Sequence, residues 1–202
     1  MRRLGIGMLV WGLGWAATGV SAEEKPMPTE AEAAAIAEIK KLGGNVMEIA
    51  QNDARLDVAF HLADTKINDT HLASVKNLPR TMILNLRGTE VTDAGLAHLK
   101  DLKGLTKLHL EKTKVTDAGL EHLKGLENLE YLNLYGTTVT DAGLKHLEGL
   151  KKLKRVYLWQ TQATDAGVAA LKAAVPEVQI VRALELPKPP PPAEPKPEEK
   201  KP

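Results

Sequence analysis

The sequence repeats itself every 24 residues between positions 57 and 176. The unit at residues 105–128 reads LTKLHLEKTKVTDAGLEHLKGLEN, and similar units occupy residues 57–80, 81–104, 129–152 and 153–176. Two apolar positions recur in every unit: Phe60, Leu84, Leu108, Leu132 and Val156, then Leu62, Leu86, Leu110, Leu134 and Leu158. Because one unit of this length cannot bury its own apolar residues, the repeat predicts stacked units that share a single core.

Each unit begins with a strand pattern. Leu108 and Leu110 are two positions apart and therefore point to one side of a strand, whereas His109 points to the other side. Thr113 follows where the chain has to turn, and its hydroxyl is expected to bond the backbone of that turn. The equivalent threonines are predicted to stack with it into a ladder: Thr65, Thr89, Thr137 and Thr161.

Each unit continues with a short helix pattern. Thr116 is a preferred N-cap residue, and the charge of Asp117 suits the positive end of a helix that begins there. In the first unit Asn68 takes the capping place. Three leucines are expected to face inward from the helical segment: Leu120, Leu123 and Leu126. We predict that Gly125 adopts the left-handed conformation that ends such a helix.

The repeated pattern LxxLxLxxTxVTDAGLxHLxxL resembles the leucine-rich repeat in a cysteine-free bacterial form, with Thr where many members carry Asn or Cys. The resemblance covers all five units. It implies an α/β fold, a leucine-rich-repeat solenoid with a short parallel β-sheet on its concave face and helices on its convex face. Members of this family are largely interaction proteins, so the resemblance also implies a binding module and not an enzyme.

The first 22 residues have the pattern of a signal peptide. Arg2 and Arg3 precede an apolar run, and Val20-Ser21-Ala22 supplies the small residues of a cleavage site. The alternative is an uncleaved anchor, although the apolar run is shorter than the roughly 20 residues of a membrane span. Cleavage predicts a secreted or periplasmic protein without stable membrane insertion.

Residues 23–56 are predicted to cap the first unit with a helix and a hairpin. The helix is opened by the capping box Thr29-Glu30-Ala31-Glu32 and ends near Leu42, before Gly43-Gly44. The hairpin would join Val46–Ile49 to Leu56–Leu62 through the turn-prone Asn52-Asp53 and shield the edge of the first strand.

The other end of the repeats is predicted to close with a strand and a spacer. Residues 177–183 contain Val178-Gln179-Ile180-Val181, which reads as one capping strand. Residues 184–202 are rich in Pro, Lys and Glu and are expected to be a disordered tail, because such a composition buries little apolar area.

Composition excludes several kinds of site. The chain has no Cys, which removes disulfides, thiolate catalysis and Cys-based zinc sites. Its formal net charge of +1 gives no basic field of the kind that nucleic-acid binding needs. The sequence carries no phosphate-binding loop, zinc-protease motif or hydrolase elbow, so we predict no catalytic residue and no cofactor.

Two sets of repeated side chains raise the hypothesis of a metal site. The histidines of the sequence GLxHL, for which half-buried packing is the favoured interpretation, are His98, His122 and His146. The aspartates at the helix starts, where a carboxylate is expected without a cation, are Asp93, Asp117, Asp141 and Asp165. We therefore predict no metal, and a metal-dependent enzyme built on the histidines is the less favoured alternative.

The outward positions of the strands carry the candidate binding residues. These are the third, fifth and seventh positions of each unit, and in the first unit they would be Ala59, His61 and Ala63. All three Tyr residues, and the only Trp outside residues 1–22, occupy such positions. The predicted ligand-binding residues are Tyr131, Asn133, Tyr135, Arg155, Tyr157 and Trp159. Exposed aromatic rings flanked by amide and guanidinium groups are typical of binding surfaces.

These features favour a monomeric, exported binding module that recognises a protein, peptide or glycan partner on its concave face. The alternative from another class is a passive structural component of the cell envelope or surface, with the tail as a spacer. A further hypothesis is that the tail itself folds back over the aromatic rings. His109 beside Glu111 is interpreted as a surface polar pair, since the pattern supplies no nucleophile in line with it.

Overall fold

The computed structural model describes residues 27–51, 53–63 and 65–182. The predicted signal peptide and tail lie outside these residues, as does Asn52 of the hairpin turn. Within the described residues one sheet contains seven strands in chain order: β1 (Asn45–Ala50), β2 (Asp53–Ala59), β3 (Thr81–Asn85), β4 (Lys107–His109), β5 (Tyr131–Asn133), β6 (Arg155–Tyr157) and β7 (Gln179–Val181). β1 and β2 are antiparallel, and each later strand is parallel to the one before it.

Helical segments precede the sheet and connect its parallel strands: α1 (Glu30–Lys41), a 3₁₀ helix (Asp69–Asn77), α2 (Asp93–Leu96) with a 3₁₀ turn (Ala97–Leu99), α3 (Asp117–Glu121), α4 (Asp141–Lys145) and α5 (Asp165–Ala174). Each one packs against the next along the chain. The result is an α/β solenoid, which confirms the predicted fold class. In the described part of the chain, no helix combines the length and the apolar character that crossing a membrane requires.

The apolar strand positions form a continuous core in the last four units. Leu84 pairs with Leu108, Leu108 with Leu132, and Leu132 with Val156, so that the 24-residue spacing is preserved in the sheet. All four side chains are fully buried. The leucines two positions further on are buried as well: Leu86, Leu110, Leu134 and Leu158. The predicted register is therefore confirmed for these units.

The predicted register is wrong for the first unit. Val58, and not Phe60, pairs with Leu84, and Phe60 takes the place that Leu86 has in the next unit. Leu62, which the repeat aligns with the buried Leu86, is 70% exposed. A slip of two residues leaves every side chain on the same face of the strand, so the alternation of Val58, Phe60 and Leu62 fits both registers equally well.

The slip also moves the outward positions of the first unit. Asp57 and Ala59 lie beside Ile83 and Asn85, whereas the sequence pattern placed Ala59 and His61 there. The chain absorbs the difference in the following turn. Ile67 follows Phe60 by seven positions, whereas Val91 follows Leu86 by five.

The threonine ladder is confirmed in four of the five units. The hydroxyls of Thr89, Thr113, Thr137 and Thr161 each donate to the carbonyl three residues earlier, at 2.7–2.8 Å. The hydroxyl of Thr65 donates instead to the carbonyl of Leu42, at 2.6 Å, and so joins the first unit to the end of α1. In the last four units the residue before the ladder threonine has a positive φ, and two of these residues are Gly88 and Gly136. Glycine adopts that backbone without strain.

The helix starts confirm the capping prediction and reveal a contact between units. Thr116 caps α3 by accepting from the N–H of Ala118, at 3.4 Å. Asp93 of the preceding unit accepts from the N–H of Thr116 at 2.7 Å and from its hydroxyl at 2.6 Å. The same pair of bonds joins Asp69 to Thr92, Asp117 to Thr140 and Asp141 to Thr164. We call these four Asp–Thr pairs the side ladder.

The side ladder explains the glycine of the repeated TDAG sequence. A Cβ atom on Gly119 would overlap Oδ1 of Asp93, and one on Gly143 would overlap Oδ1 of Asp117. The predicted role of Gly125 is wrong, because its φ is not positive and α3 already ends at Glu121. The chain continues in turns that still bury Leu123 and Leu126.

The N-terminal capping box is confirmed. The Thr29 hydroxyl accepts from the N–H of Glu32 at 3.2 Å, and Oε2 of Glu32 accepts from the N–H of Thr29 at 2.8 Å. Glu32 also accepts from Nε of Arg80 at 3.0 Å, and Arg80 donates to the carbonyl of Ala54. Burial alone raises the pKa of Glu32, but the hydrogen bonds from Thr29 and Arg80 outweigh it and lower that pKa. α1 is thereby tied to the hairpin and to the first unit.

Candidate binding surface

The face of the sheet opposite the core presents three rows of side chains, each running across the strands. The first row is Met47, Asp57, Ile83, Lys107, Tyr131, Arg155 and Gln179. The second row is Asn45, Ala59, Asn85, His109, Asn133, Tyr157 and Val181. The third row continues into the turns: Arg87, Glu111, Tyr135 and Trp159. The six residues predicted from the sequence all belong to these rows.

Two of the predicted residues form a parallel stack in the third row. The ring centroids of Tyr135 and Trp159 are 4.8 Å apart, and the ring planes differ by 11°. Nζ of Lys112 lies 5.6 Å from the centroid of the Tyr135 ring, within the range of a cation–π contact. Trp159 remains 37% exposed at the end of this stack. An exposed indole on a rigid stack is a typical anchor point for a ligand.

A second aromatic group lies around Tyr131 in the first and second rows. The Tyr131 ring centroid is 4.8 Å from that of His109 and 5.4 Å from that of Tyr157, with tilted planes in both pairs. Burial among these rings raises the pKa of Tyr131, and the hydrogen bond from Asn133 offsets part of that rise. The rings of Tyr131 and Tyr157 are half-buried and pack against each other, so only part of each ring is exposed.

Asn133 connects the two aromatic groups. Its Nδ2 donates to Oε1 of Glu111 at 2.6 Å and approaches the Tyr131 hydroxyl at 3.4 Å. Its Oδ1 accepts from the N–H of Tyr135 at 3.1 Å. Oε1 of Glu111 also lies 2.9 Å from Nδ1 of His109. The amide of Asn133 therefore holds the surface together, and its polar atoms are already bonded.

Glu111 is the residue whose burial in the surface the sequence pattern did not reveal. It is 7% exposed, and its Oε2 is buried without a hydrogen-bond partner among the described residues. A buried carboxylate oxygen without a donor is costly, which makes it a place where a water molecule or a ligand donor would bind favourably. The prediction of a surface polar pair is correct for the His109 contact but misses this burial. The alternation of polar residues at positions 107, 109 and 111 indicates the face of the strand and does not indicate the depth.

Arg155 lies apart from the hydrogen-bonded residues, at the edge of the surface. Its guanidinium and the ammonium of Lys107 are exposed, and neither makes a hydrogen bond or ion pair with any described residue. Both border a cavity of about 670 Å³ that also touches Tyr131. The structure thus brings together the four rings and Asn133, whereas the guanidinium of Arg155 makes no hydrogen bond or ion pair with them.

The repeated histidines lie elsewhere. His98, His122 and His146 are half-buried in the helical segments, as the packing interpretation predicts. Within residues 27–51, 53–63 and 65–182, no group of three or more His, Asp or Glu residues has the geometry to hold a metal ion.

Comparisons with known proteins bear on the fold. No protein-family model matches the sequence, and no curated protein matches it either. An internalin (inlF) from Listeria monocytogenes matches with a TM-score of 0.50 and 21% identity, over 63% of this chain and 35% of that one. The fold is that of a leucine-rich-repeat protein.

Two further solved structures are similar to this leucine-rich-repeat solenoid. Internalin C2 from Listeria monocytogenes matches at 28% identity and a TM-score of 0.47, over 54% of this chain and 44% of that one. The leucine-rich-repeat ectodomain of the receptor kinase SOBIR1 from Arabidopsis thaliana matches at 13% identity and a TM-score of 0.49, over 76% of this chain and 92% of that one. The chain spans less than half the length of either internalin structure.

Proposed function

We propose that this chain is an exported binding module that recognises a protein, peptide or glycan partner on the concave face of its sheet. The observation that carries the proposal is the stack of Lys112, Tyr135 and Trp159, which ends in an exposed indole. The leucine-rich-repeat fold supports an interaction module in general terms. It does not by itself name the partner.

The rings stand on strands and on the turns that directly follow them. The strand residues are paired on both sides within the sheet, and the turns are held by the threonine hydroxyls. A surface that is already ordered loses little side-chain entropy on binding, so more of the contact energy remains as affinity. This rigidity favours recognition over the passive structural alternative, which needs no ordered aromatic surface.

Tyr135→Ala/Trp159→Ala tests the proposal. The intact chain would be immobilised and probed with a phage-displayed random dodecapeptide library and with a glycan array. We expect the selected ligands to lose at least tenfold in affinity for the double variant, because the exposed ring and its support are both removed. The matched control is Lys76→Gln/Lys100→Gln, on exposed residues that lie in or directly after helical segments, and it should bind like the wild type.

Two results would contradict the proposal. Ligands that bind the Tyr135→Ala/Trp159→Ala variant at full affinity would remove the aromatic stack from the site. In the chain without residues 1–22, Trp159 is the only Trp, and a fluorescence spectrum that shifts on deletion of residues 187–202, without any added ligand, would favour the tail as the occupant of these rings.

Export is the second part of the proposal, and it rests on the pattern of residues 1–22. N-terminal sequencing of the protein recovered outside the cytoplasm should begin Glu-Glu-Lys, at Glu23. A membrane-bound product that retains Met1 would show that the segment is an anchor.

A further inference from the structure

The first row changes in chemical character from one end of the sheet to the other. It begins with Met47 and Ile83 separated by Asp57, and it continues through Lys107 and Tyr131 to the last two strands. Six strand spacings of about 4.8 Å make the row about 29 Å long, which is the length of about nine extended residues. The row is thus long enough for a short peptide that lies across the strands.

The first end of the row has a cavity with apolar side chains on part of its lining and polar side chains on the rest, and we call it the apolar cavity after its apolar part. This cavity of about 360 Å³ is lined in part by Met47, Leu62, Ile83 and Lys107. Met47 is 54% exposed and Leu62 is 70% exposed. Both side chains gain free energy when an apolar group covers them, so the cavity fits one aliphatic or aromatic side chain of a ligand.

The middle of the row carries cations that the protein itself does not neutralise. Lys107 and Arg155 flank Tyr131, one strand away on each side, and neither pairs with a described carboxylate. Other lysines on the same cavity do have partners, since Nζ of Lys154 lies 2.8 Å from Glu130 and Nζ of Lys152 lies 2.7 Å from Asn128. Among the described cations of this cavity, Lys107 and Arg155 are the two whose side chains have no hydrogen bond or ion pair, and both lie in the first row of the sheet face.

We propose that the first row binds an extended acidic peptide of a partner protein. An apolar side chain of this peptide occupies the cavity beside Met47 and Leu62, and an Asp or Glu three or four residues away lies between Lys107 and Arg155. The distance from the apolar cavity to Tyr131 is two to three strand spacings, about 10–14 Å, which three or four extended residues span. The inference rests on the proposed function, because it specifies the ligand of the same concave face.

The charges of the first row determine the direction in which the peptide binds. The apolar cavity favours a peptide over other acidic ligands. Asp57 lies in the apolar end and repels a carboxylate there, so the acidic residue is directed to the other side of Lys107. An acidic glycan would satisfy the two cations but has no side chain for the apolar cavity. Both cavities border Lys107, so one ligand can fill them together.

The test selects dodecapeptides from a random phage library on the immobilised intact chain. We expect enrichment of Asp or Glu three or four residues from Leu, Ile, Val, Met or Phe. The most enriched peptide is then synthesised with a fluorescent label, and its affinity is measured by anisotropy. Replacing its acidic residue with Gln should weaken binding at least tenfold, and so should Lys107→Gln/Arg155→Gln in the protein.

Lys76→Gln/Lys100→Gln is the control of equal charge change and should bind like the wild type. Selected peptides no more acidic than the library would overturn the inference. So would a decameric oligogalacturonate that binds through Lys107 and Arg155 when no peptide is enriched. If peptides without an acidic residue bind and depend on Tyr135 and Trp159, the proposed function stands and the acidic ligand is wrong. If neither Lys107→Gln/Arg155→Gln nor Tyr135→Ala/Trp159→Ala alters binding, the proposed function and the acidic-peptide inference are both wrong.

Discussion

The helical side of the units, which carries the side ladder, repeats the same residues, whereas the concave side, which is the face of the sheet opposite the core, varies from unit to unit. On the helical side the sequence Thr-Asp-Ala-Gly recurs in four units, and the side ladder makes the same two hydrogen bonds at every junction. In the first row of the concave side the residue changes at each strand, from Ile83 to Lys107 to Tyr131. Contacts made identically at every junction stabilise the stack, whereas positions that differ are free to serve recognition.

The largest expected effect tests the core that both sides share. Leu132→Ala should lower the free energy of unfolding by about 2 to 5 kcal/mol, because it leaves a cavity between Leu108 and Val156. Urea unfolding followed by circular dichroism measures this.

Leu62→Ala is the matched control for the core prediction. Leu62 is exposed in the turn of the first unit, so the same substitution should cost less than about 0.5 kcal/mol. A loss at Leu62 as large as that at Leu132 would restore the unslipped register for the first unit.

The next largest effect is expected from a substitution that disturbs the side ladder at one junction between units. Gly143→Ala should destabilise the fold by about 1 to 3 kcal/mol, because the new methyl group overlaps Oδ1 of Asp117 and forces the unit apart. Gly149→Ala is the control, since no atom lies within 4 Å of its Cβ position. Equal melting temperatures for the two variants would mean that the side ladder does not hold the units together.

The pH dependence of stability tests the side ladder through a smaller effect. Hydrogen bonds from the hydroxyl and the N–H of Thr164 lower the pKa of Asp141 below its ordinary value of 3.8. The folded chain thus favours the ionised form of Asp141. The stability that this carboxylate contributes is complete above pH 3.8 and is lost as the pH falls through its lowered pKa.

Asp141→Asn should therefore lower the urea midpoint at pH 6, and this deficit should shrink as the pH falls below 3.8 through the lowered pKa of Asp141. Asp101→Asn, on an exposed residue outside the ladder, should leave the midpoint unchanged over the same pH range. A deficit of Asp141→Asn that persists in acid would assign its cost to something other than the carboxylate charge.

The smallest effect on stability is expected on the concave side. Lys107→Gln and Arg155→Gln should each change the free energy of unfolding by less than about 0.5 kcal/mol, because both side chains are exposed and unpaired in the described residues. Thermal melting measures this directly. A loss of several degrees would show that the concave cations also support the fold, and the comparison between the two sides would weaken.

Much of the candidate site was predictable because a strand alternates strictly. Once Leu132 and Leu134 are assigned to the core, Tyr131, Asn133 and Tyr135 must lie on the other face. The 24-residue period then brings Tyr157 beside Asn133 without further information. The alternation of residues does not indicate how deeply a side chain is buried, so the burial of Glu111 was not predicted. For the same reason, the sequence did not show that both polar groups of Asn133 are used in hydrogen bonds within the surface.

The sequence by itself determined the period, the core positions of the last four units and the face on which the rings lie, since these follow from the spacing of residues along the chain. The tertiary structure alone decided the relations between units. Asp93 reads from the sequence as a helix-start charge, and only the stacking shows that it binds Thr116 of the next unit. The two-residue slip was likewise visible only in the structure, where Val58 pairs with Val46 on β1 and with Leu84 on β3, because a period of two cannot distinguish the alternatives.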